Sequence, residues 1–182
     1  MDNKSLWKFG TREVVYSAIG AALYGVLSWA SNFVALPAAG NIALRPAVSI
    51  PMFFGVAFGP LVGFLSGAVG NILGDFLSGW GFFWNWDVGN GLMGLVPGLM
   101  AASVMSFKDG ATLFKAAVYS IVGAAVGMLF ASATEKFISG LDWGVAMGGY
   151  FLPAFLTDAI NGAILVPILM VAYDAVAARS GR

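Results

Sequence analysis

Long apolar runs with few charges inside them constrain this chain more than any other feature. The stretches from Phe53 to Leu77 and from Ile160 to Ala172 show none of the apolar–polar alternation that a transmembrane β-strand requires. A helix crosses a hydrocarbon core of ~30 Å with about 20 apolar residues, and the runs have that size. Of the 182 residues, 59% are hydrophobic and 10% charged, whereas a soluble domain carries about 25% charged residues. Too few charges remain to cover a water-facing surface, so lipid must supply the solvent. The chain reads as an all-α membrane protein, a compact bundle of six transmembrane helices forming one domain over residues 1–182.

Spans are predicted at residues 13–31, 46–58, 61–77, 88–105, 111–134 and 150–177. A loop rich in Asn, Pro and Gly covers 32–44, and an aromatic loop covers 78–87. Pro46 and Pro60 suit a first helical turn, where the missing N–H has no partner to lose. Pro97, Pro153 and Pro167 fall within helices, which membrane proteins tolerate when neighbours satisfy the freed carbonyls. The polar stretch 1–12 is followed by an apolar run reaching about residue 30, so it reads as a retained helix rather than a cleaved signal. With both termini cytoplasmic, Lys4, Lys8, Arg12, Lys108, Lys115, Arg179 and Arg182 lie inside, and Arg45 and Lys136 outside. That partition of all nine basic residues follows the positive-inside rule and implies a multi-pass prokaryotic plasma-membrane protein.

Several functions are disfavoured at once. Net charge is zero and no basic tract occurs, so nucleic-acid binding has no footprint. Cysteine and histidine are both absent, which removes thiolate and imidazole metal sites and the commonest general base. No Walker A motif occurs, so ATP hydrolysis, if coupled, belongs to another subunit. Neither an enzyme, nor a metal, nor a resident cofactor is expected.

The informative residues are the polar ones near or within the spans, which fall at one depth on the outer side. Asn32 and Trp29 end helix 1, and Arg45 precedes helix 2. Asn71 and Asp75 lie i, i+4 on helix 3, which puts them on one helical face; Asp158 and Asn161 lie i, i+3 on helix 6. Asp87 and Asn90 begin helix 4, and Trp80, Trp84, Asn85 and Trp86 fill the loop before it. An ionised group inside a bilayer costs ~2.5–3.5 kcal/mol even on the lenient insertion scale, so such groups face a cavity or partners rather than lipid. The simplest arrangement is an outward-opening polar pocket walled by aromatic rings. Plainer readings stand beside it: interfacial water for Asp75 and Asp87, with Asp87 capping helix 4; a headgroup anchor for Arg45; interhelical bonds for Asn71 and Asn161; an interfacial belt for the tryptophans. Amide–acid pairs suit hydrogen-bonding a polar ligand better than two-carboxylate catalysis.

Small residues form a second pattern. Ala18 and Ala22, with Ser17, Ala21 and Gly25 beside them, would let helix 1 approach another helix closely. Gly63, Gly67, Gly70 and Gly74 on helix 3 and Gly123 and Gly127 on helix 5 suit packing inside the bundle.

Five stretches resemble the substrate-binding S components of energy-coupling factor (ECF) vitamin transporters, in the branch that includes riboflavin-transporter-like members. They are Ala18-Ile-Gly-Ala-Ala22, Leu44-Arg-Pro-Ala-Val48, Phe54-Gly-Val-Ala-Phe-Gly-Pro-Leu-Val-Gly-Phe64, Gly70-Asn-Ile-Leu-Gly-Asp75 and Phe83-Trp-Asn-Trp-Asp-Val-Gly-Asn-Gly91. The resemblance implies a six-helix subunit that captures a vitamin or related micronutrient from outside. It also implies partners: a membrane scaffold subunit (EcfT) and two cytoplasmic ATPases, with Ala18, Ala22 and Gly25 on the scaffold-docking face. The expected substrate-binding residues are Asn32, Arg45, Asn71, Asp75, Trp80, Trp84, Asn85, Trp86, Asp87, Asn90, Asp158 and Asn161. The rival readings are a stand-alone secondary transporter or channel for a small polar solute, using Asp75 and Asp158, and an assembly factor without a ligand. No inverted repeat supports the transporter.

Overall fold

The structure, a computed structural model, describes residues 6–31 and 45–179. Six α-helices follow one another: α1 (Thr11–Ser31), α2 (Ser49–Phe58), α3 (Pro60–Ser78), α4 (Trp84–Gly98), α5 (Gly110–Ser139) and α6 (Leu152–Arg179). Among the described residues there is no strand. A 3-10 turn, Pro46–Val48, leads into α2, and a π-helical segment, Val145–Phe151, leads into α6.

Among the described residues, four elements are long and apolar enough to cross a membrane: Thr11–Ser31, Pro60–Ser78, Gly110–Ser139 and Val145–Arg179. The two others fall short of their expected lengths. The predicted span 46–58 divides into the 3-10 turn and a 10-residue α2, which at 1.5 Å per residue is about 15 Å long. The predicted span 88–105 instead runs from Trp84 to Gly98. It starts early because the N–H groups of Trp86 and Asp87 both bond the Phe83 carbonyl (2.9 and 3.0 Å). It ends at Gly98, where the ladder tightens to i, i+3 bonds, the Leu99 N–H on the Val96 carbonyl (3.1 Å) and the Met100 N–H on the Pro97 carbonyl (3.2 Å). Phe83 is therefore the N-cap, and Asp87, expected as a cap, sits a full turn inside the helix.

Helix packing follows the glycines. Gly70 and Gly74 face α1, meeting Tyr24, Ala21 and Ser28. Gly63 and Gly67, earlier in the same helix, face α4, where an added Cβ would come within 2.2 Å of the Gly94 carbonyl oxygen and 2.1 Å of the Asn90 carbonyl oxygen. Gly89 and Gly127 also meet across α4 and α5, where an added Cβ would come within 2.7 and 2.3 Å of the other's carbonyl oxygen. The packing order is thus α1–α3–α4–α5–α6, with α2 wedged against α1, α3, α4 and α6. α2 is buried from Ser49 to Val56 except for the half-buried Ile50, so this short helix is the centre of the bundle rather than a wall. Around it lie Tyr24, Met93, Met128 and Met170, all fully buried like its own Met52. Outward positions are apolar too: Leu152, Leu156, Ile160, Ile164 and Ile168 of α6 recur at i, i+4 and are all exposed, the face a lipid-facing helix presents.

The two ends of the bundle differ. At one end Tyr16, Phe53, Phe54, Phe58, Phe107 and Tyr173 form an aromatic cluster, Tyr16 and Phe58 stacking at 4.0 Å. The polar side chains gather at the other end, where α1, α3 and α5 finish and α4 begins.

Candidate functional site

Arg45 stands immediately before the 3-10 turn, which carries its side chain inward over α2. Its Nη2 donates to Asn71 Oδ1 (3.0 Å), to Asn90 Oδ1 (3.2 Å) and to the hydroxyl of Tyr24. The Tyr24 hydroxyl in turn donates to Asn90 Oδ1 at 2.6 Å. A guanidinium, a phenol and two amides from α1, α3, α4 and the pre-α2 turn therefore share one hub. The glycine contacts explain why they can meet, because side chains as short as Asn reach each other only where backbones approach this closely.

The amides are polarised by their neighbours. Asn71 turns its oxygen to Arg45 and its Nδ2 to two carboxylates, Asp75 Oδ2 (3.0 Å) and Asp87 Oδ1 (2.9 Å). Asn90 gives its Nδ2 to the Trp86 carbonyl at 2.8 Å. On the α5 side, Glu135 Oε2 accepts from Asn85 Nδ2 (2.8 Å) and from the Trp86 indole N–H (2.9 Å), while Asn85 also reaches the Ala131 carbonyl (3.2 Å). A hydrogen bond from Ser139 secures the other carboxylate oxygen of Glu135.

Above the hub opens a cavity of about 370 Å³ lined by Ser28, Arg45, Asn71, Asp75, Trp80, Phe83, Trp86, Glu135 and Tyr150, within the range of small-molecule sites. Its position follows from the end of α3. Gly79 takes a left-handed conformation (φ 73°), and the N–H of Trp80 folds back onto the Asp75 carbonyl at 2.9 Å, the bond that closes a Schellman turn. Trp80 is thereby held at the rim beside Asp75. Trp86 and Tyr150 face each other with centroids 6.2 Å apart and planes tilted 41°. A larger groove, about 410 Å³ between α1 and α6, is almost wholly apolar and carries no comparable chemistry.

Of the residues expected from sequence, Arg45, Asn71, Asp75, Trp80 and Trp86 line the cavity, and Asp87 and Asn90 stand directly behind it through their bonds to Asn71, Tyr24 and Arg45. Asp158 is 1% exposed and interacts electrostatically with Arg45, yet among the described residues neither of its carboxylate oxygens has a hydrogen-bond partner. Asn161, half-buried on the next turn, likewise has an unpaired Nδ2, and neither residue lines the cavity.

Three expectations are corrected. Trp84 does not stack in the cavity; it is 49% exposed and lies edge-on to Phe130 of α5 (6.4 Å, 76°). Because the segment is helical from residue 84, Trp84 and Trp86 are about 200° apart around the axis and cannot share a face. Asn85 spends its amide on α5 and serves as a helix tie. Gly25, grouped with Ala18 and Ala22 on a docking face, turns inward, where a Cβ would meet Leu73 Cβ at 2.8 Å and the Gly70 carbonyl at 3.1 Å. Asn32 lies outside the described residues.

Sequence reasoning passed over Tyr24, Ser28, Phe83, Glu135 and Tyr150. Tyr24 carried a signal: it shares the glycine-lined face of α1, and a fully buried phenol demands a partner. Glu135 fell beyond the predicted end of helix 5 and was not counted with the spans.

A family model described as ECF-type riboflavin transporter, S component, matches residues 8–175. A curated relative, a UPF0397 protein of Vibrio atlanticus (strain LGP32), is 29% identical over 173 residues, covering 94% of each chain. With the match reaching from the start of α1 to the last turns of α6, this chain belongs to the ECF-type riboflavin transporter S component family, the substrate-binding membrane subunits of ECF transporters.

Proposed function

We propose that the chain captures a vitamin or related micronutrient from the outer side of a prokaryotic plasma membrane in the cavity around Arg45, and hands it to an ECF importer complex. The convergence that carries this reading is the single hub of Arg45, Tyr24, Asn71 and Asn90 beneath an aromatic-walled cavity. A flat ring enters between Trp80, Phe83, Trp86 and Tyr150, where buried aromatic area supplies affinity. The polar floor sets selectivity.

Orientation is part of the proposal. The helices alternate in direction, so six crossings with both termini cytoplasmic turn the cavity end outward. Lys108, paired with Asp174 at 3.5 Å, then lies at the inner end with the aromatic cluster. The chain itself carries out no chemistry and needs no resident cofactor; ATP hydrolysis by two separate cytoplasmic subunits drives release. The scaffold subunit docks on α1 at Ala18 and Ala22, both of which are exposed on the surface of the bundle.

Two experiments test these assignments. Replacing Ala18 and Ala22 with Trp is expected to abolish co-purification with the scaffold and ATPase subunits while leaving the isolated subunit folded; co-purification that survives both changes refutes the docking face. In proteoliposomes, the chain alone is expected to bind ligand without accumulating it. Uptake driven by an ion gradient without the partner subunits would replace the capture reading with a stand-alone transporter.

A further inference from the structure

At the opposite end of the bundle from the cavity, a smaller pocket collects basic side chains. The chain enters α1 across the α2–α3 turn, the Leu6 carbonyl passing 3.5 Å from the place of a Cβ on Gly59. Between this entry, that turn and the stretch Ala101–Ala102 opens a pocket of about 210 Å³. Small-molecule sites span about 300–1,000 Å³, so the space suits a charged headgroup rather than a whole ligand.

Two cations, Lys8 and Arg12, and one acid, Glu13, line this pocket. Glu13 is turned back on the start of its own helix, its Oε2 accepting the Gly10 N–H at 2.9 Å. Arg12 is held in place from below. Its guanidinium lies 5.3 Å from the centroid of the Tyr16 ring, a cation–π contact, and Tyr16 itself stacks on Phe58 at 4.0 Å. The charge therefore rests on an aromatic platform rooted in the core. Among the described residues neither Lys8 nor Arg12 forms a salt bridge, whereas Lys108 pairs with Asp174 at 3.5 Å and Lys115 donates to Ser103 Oγ at 3.1 Å.

Depth points to the anion. Trp7 and Phe9, on either side of Lys8, are exposed, and aromatic rings beside basic residues mark the headgroup level of a bilayer. The anion abundant at that level is a lipid phosphate, and basic pockets among membrane helices on the cytoplasmic side bind such headgroups. A guanidinium offers paired N–H donors to phosphate oxygens, and a lysine adds a mobile point charge. We propose that Lys8 and Arg12 clasp the phosphate of one anionic phospholipid of the inner leaflet in this pocket. The leaflet follows from the orientation proposed above; the binding itself is independent of what the outer cavity captures.

The test places the full chain in nanodiscs of phosphatidylcholine, alone or doped with phosphatidylglycerol. Native mass spectrometry reads the retained lipid, and thermal melting reads the stabilisation it gives. The wild type is expected to retain phosphatidylglycerol in preference to phosphatidylcholine and to melt higher in the doped discs. Lys8→Gln/Arg12→Gln is expected to cut retention about 30-fold, roughly fivefold for each charge, and to abolish the melting shift. Lys108→Gln/Arg179→Gln removes as much charge at the same end without touching the pocket, and is expected to keep both. Loss in both double variants alike, or in neither, overturns the proposal. If Lys8→Gln/Arg12→Gln already melts low in phosphatidylcholine discs, Lys8→Gln alone, at a position before α1 begins, carries the comparison with the fivefold loss expected of one charge. A last arm offers glycerol 1-phosphate to the chain in phosphatidylcholine discs. Stabilisation equal to that of the lipid overturns the lipid assignment in favour of a soluble phosphate, and none supports it. Nanodiscs show the same lipid on both faces, so no outcome turns on the orientation or on the capture reading.

Discussion

Gly67→Ala tests whether the site depends on backbone contact between α3 and α4. The added Cβ would lie 2.1 Å from the Asn90 carbonyl oxygen, 2.7 Å from the Asn90 carbonyl carbon and 3.1 Å from Gly91 Cα. Every one of these atoms is backbone, so no side chain can swing aside. The helices must part, because the first of these contacts is about 1.3 Å short of the ~3.4 Å at which van der Waals contact becomes ordinary. Asn90 is carried with α4, and a retreat of that size takes the 3.2 Å bond from Arg45 to Asn90 out of hydrogen-bonding range. Overpacking of this kind costs about 1–3 kcal/mol of stability. Losing a hydrogen bond to a charged group removes a further ~1.5 kcal/mol or more, or about tenfold in affinity where ligand binding uses the hub. Thermal melting and ligand titration of the variant in nanodiscs, beside Gly148→Ala as control, measure both effects. A Cβ at Gly148 meets nothing within 4 Å, so that variant is expected to behave as wild type. If Gly67→Ala melts and binds with the control, the claim that helix approach builds the site is wrong.

Tyr24→Phe removes the hydroxyl that links Arg45 to Asn90 without changing shape. Leaving buried partners short of a bond is expected to lower stability by about 1–3 kcal/mol, and an unchanged melting temperature would argue against the hub. Glu135→Ala should free the Trp86 indole and Asn85 together, weakening ligand binding severalfold, with Glu135→Gln intermediate because a neutral acceptor bonds roughly half as strongly; calorimetry on both variants gives the ranking. Asp109 caps α5, its Oδ2 accepting the backbone N–H of Thr112 (2.9 Å) and then its hydroxyl (3.0 Å). These bonds hold its carboxyl below the usual carboxylate range. A folded value below the unfolded one means the cap stabilises above the ordinary carboxylate value of about 3.9 and is lost as pH falls through the depressed folded value. Asp109→Ala should therefore lower the melting temperature at neutral pH and leave it unchanged at the acid end, and a uniform offset would contradict the assignment.

How far the sequence reveals this arrangement depends on the residue. Apolar run length locates all six helices, and i, i+4 spacing puts Asn71 and Asp75 on one face, because both follow from the helical period alone. The spacing of Gly63, Gly67, Gly70 and Gly74 announces close packing but conceals that the first two face α4 and the last two α1. Trp84 and Trp86 look equivalent as loop residues and diverge once the helix starts at 84. That start is set by hydrogen bonds to the Phe83 carbonyl that no local composition signals. Glu135 was illegible for a different reason: α5 runs on to Ser139, one further turn of helix that places this acid opposite Trp86. Tertiary contact, rather than propensity, decides each of these cases.

The site is built from two halves with different mechanical character. On the α1–α3–α4 side, glycine contacts lock backbones together and fix Tyr24, Asn71 and Asn90 around Arg45, so that half has little room to adjust. The facing half supplies Glu135 from the last turns of α5 and Tyr150 from the π-helical segment Val145–Phe151. Two of that segment's glycines, Gly148 and Gly149, pack loosely, with no neighbour inside 3.8 Å of an added Cβ. π-helical turns give up regular ladder geometry and concentrate at functional sites. The cavity thus has one wall fixed by backbone contact and one wall with space beside its glycines, and an added side chain is tolerated better on the second.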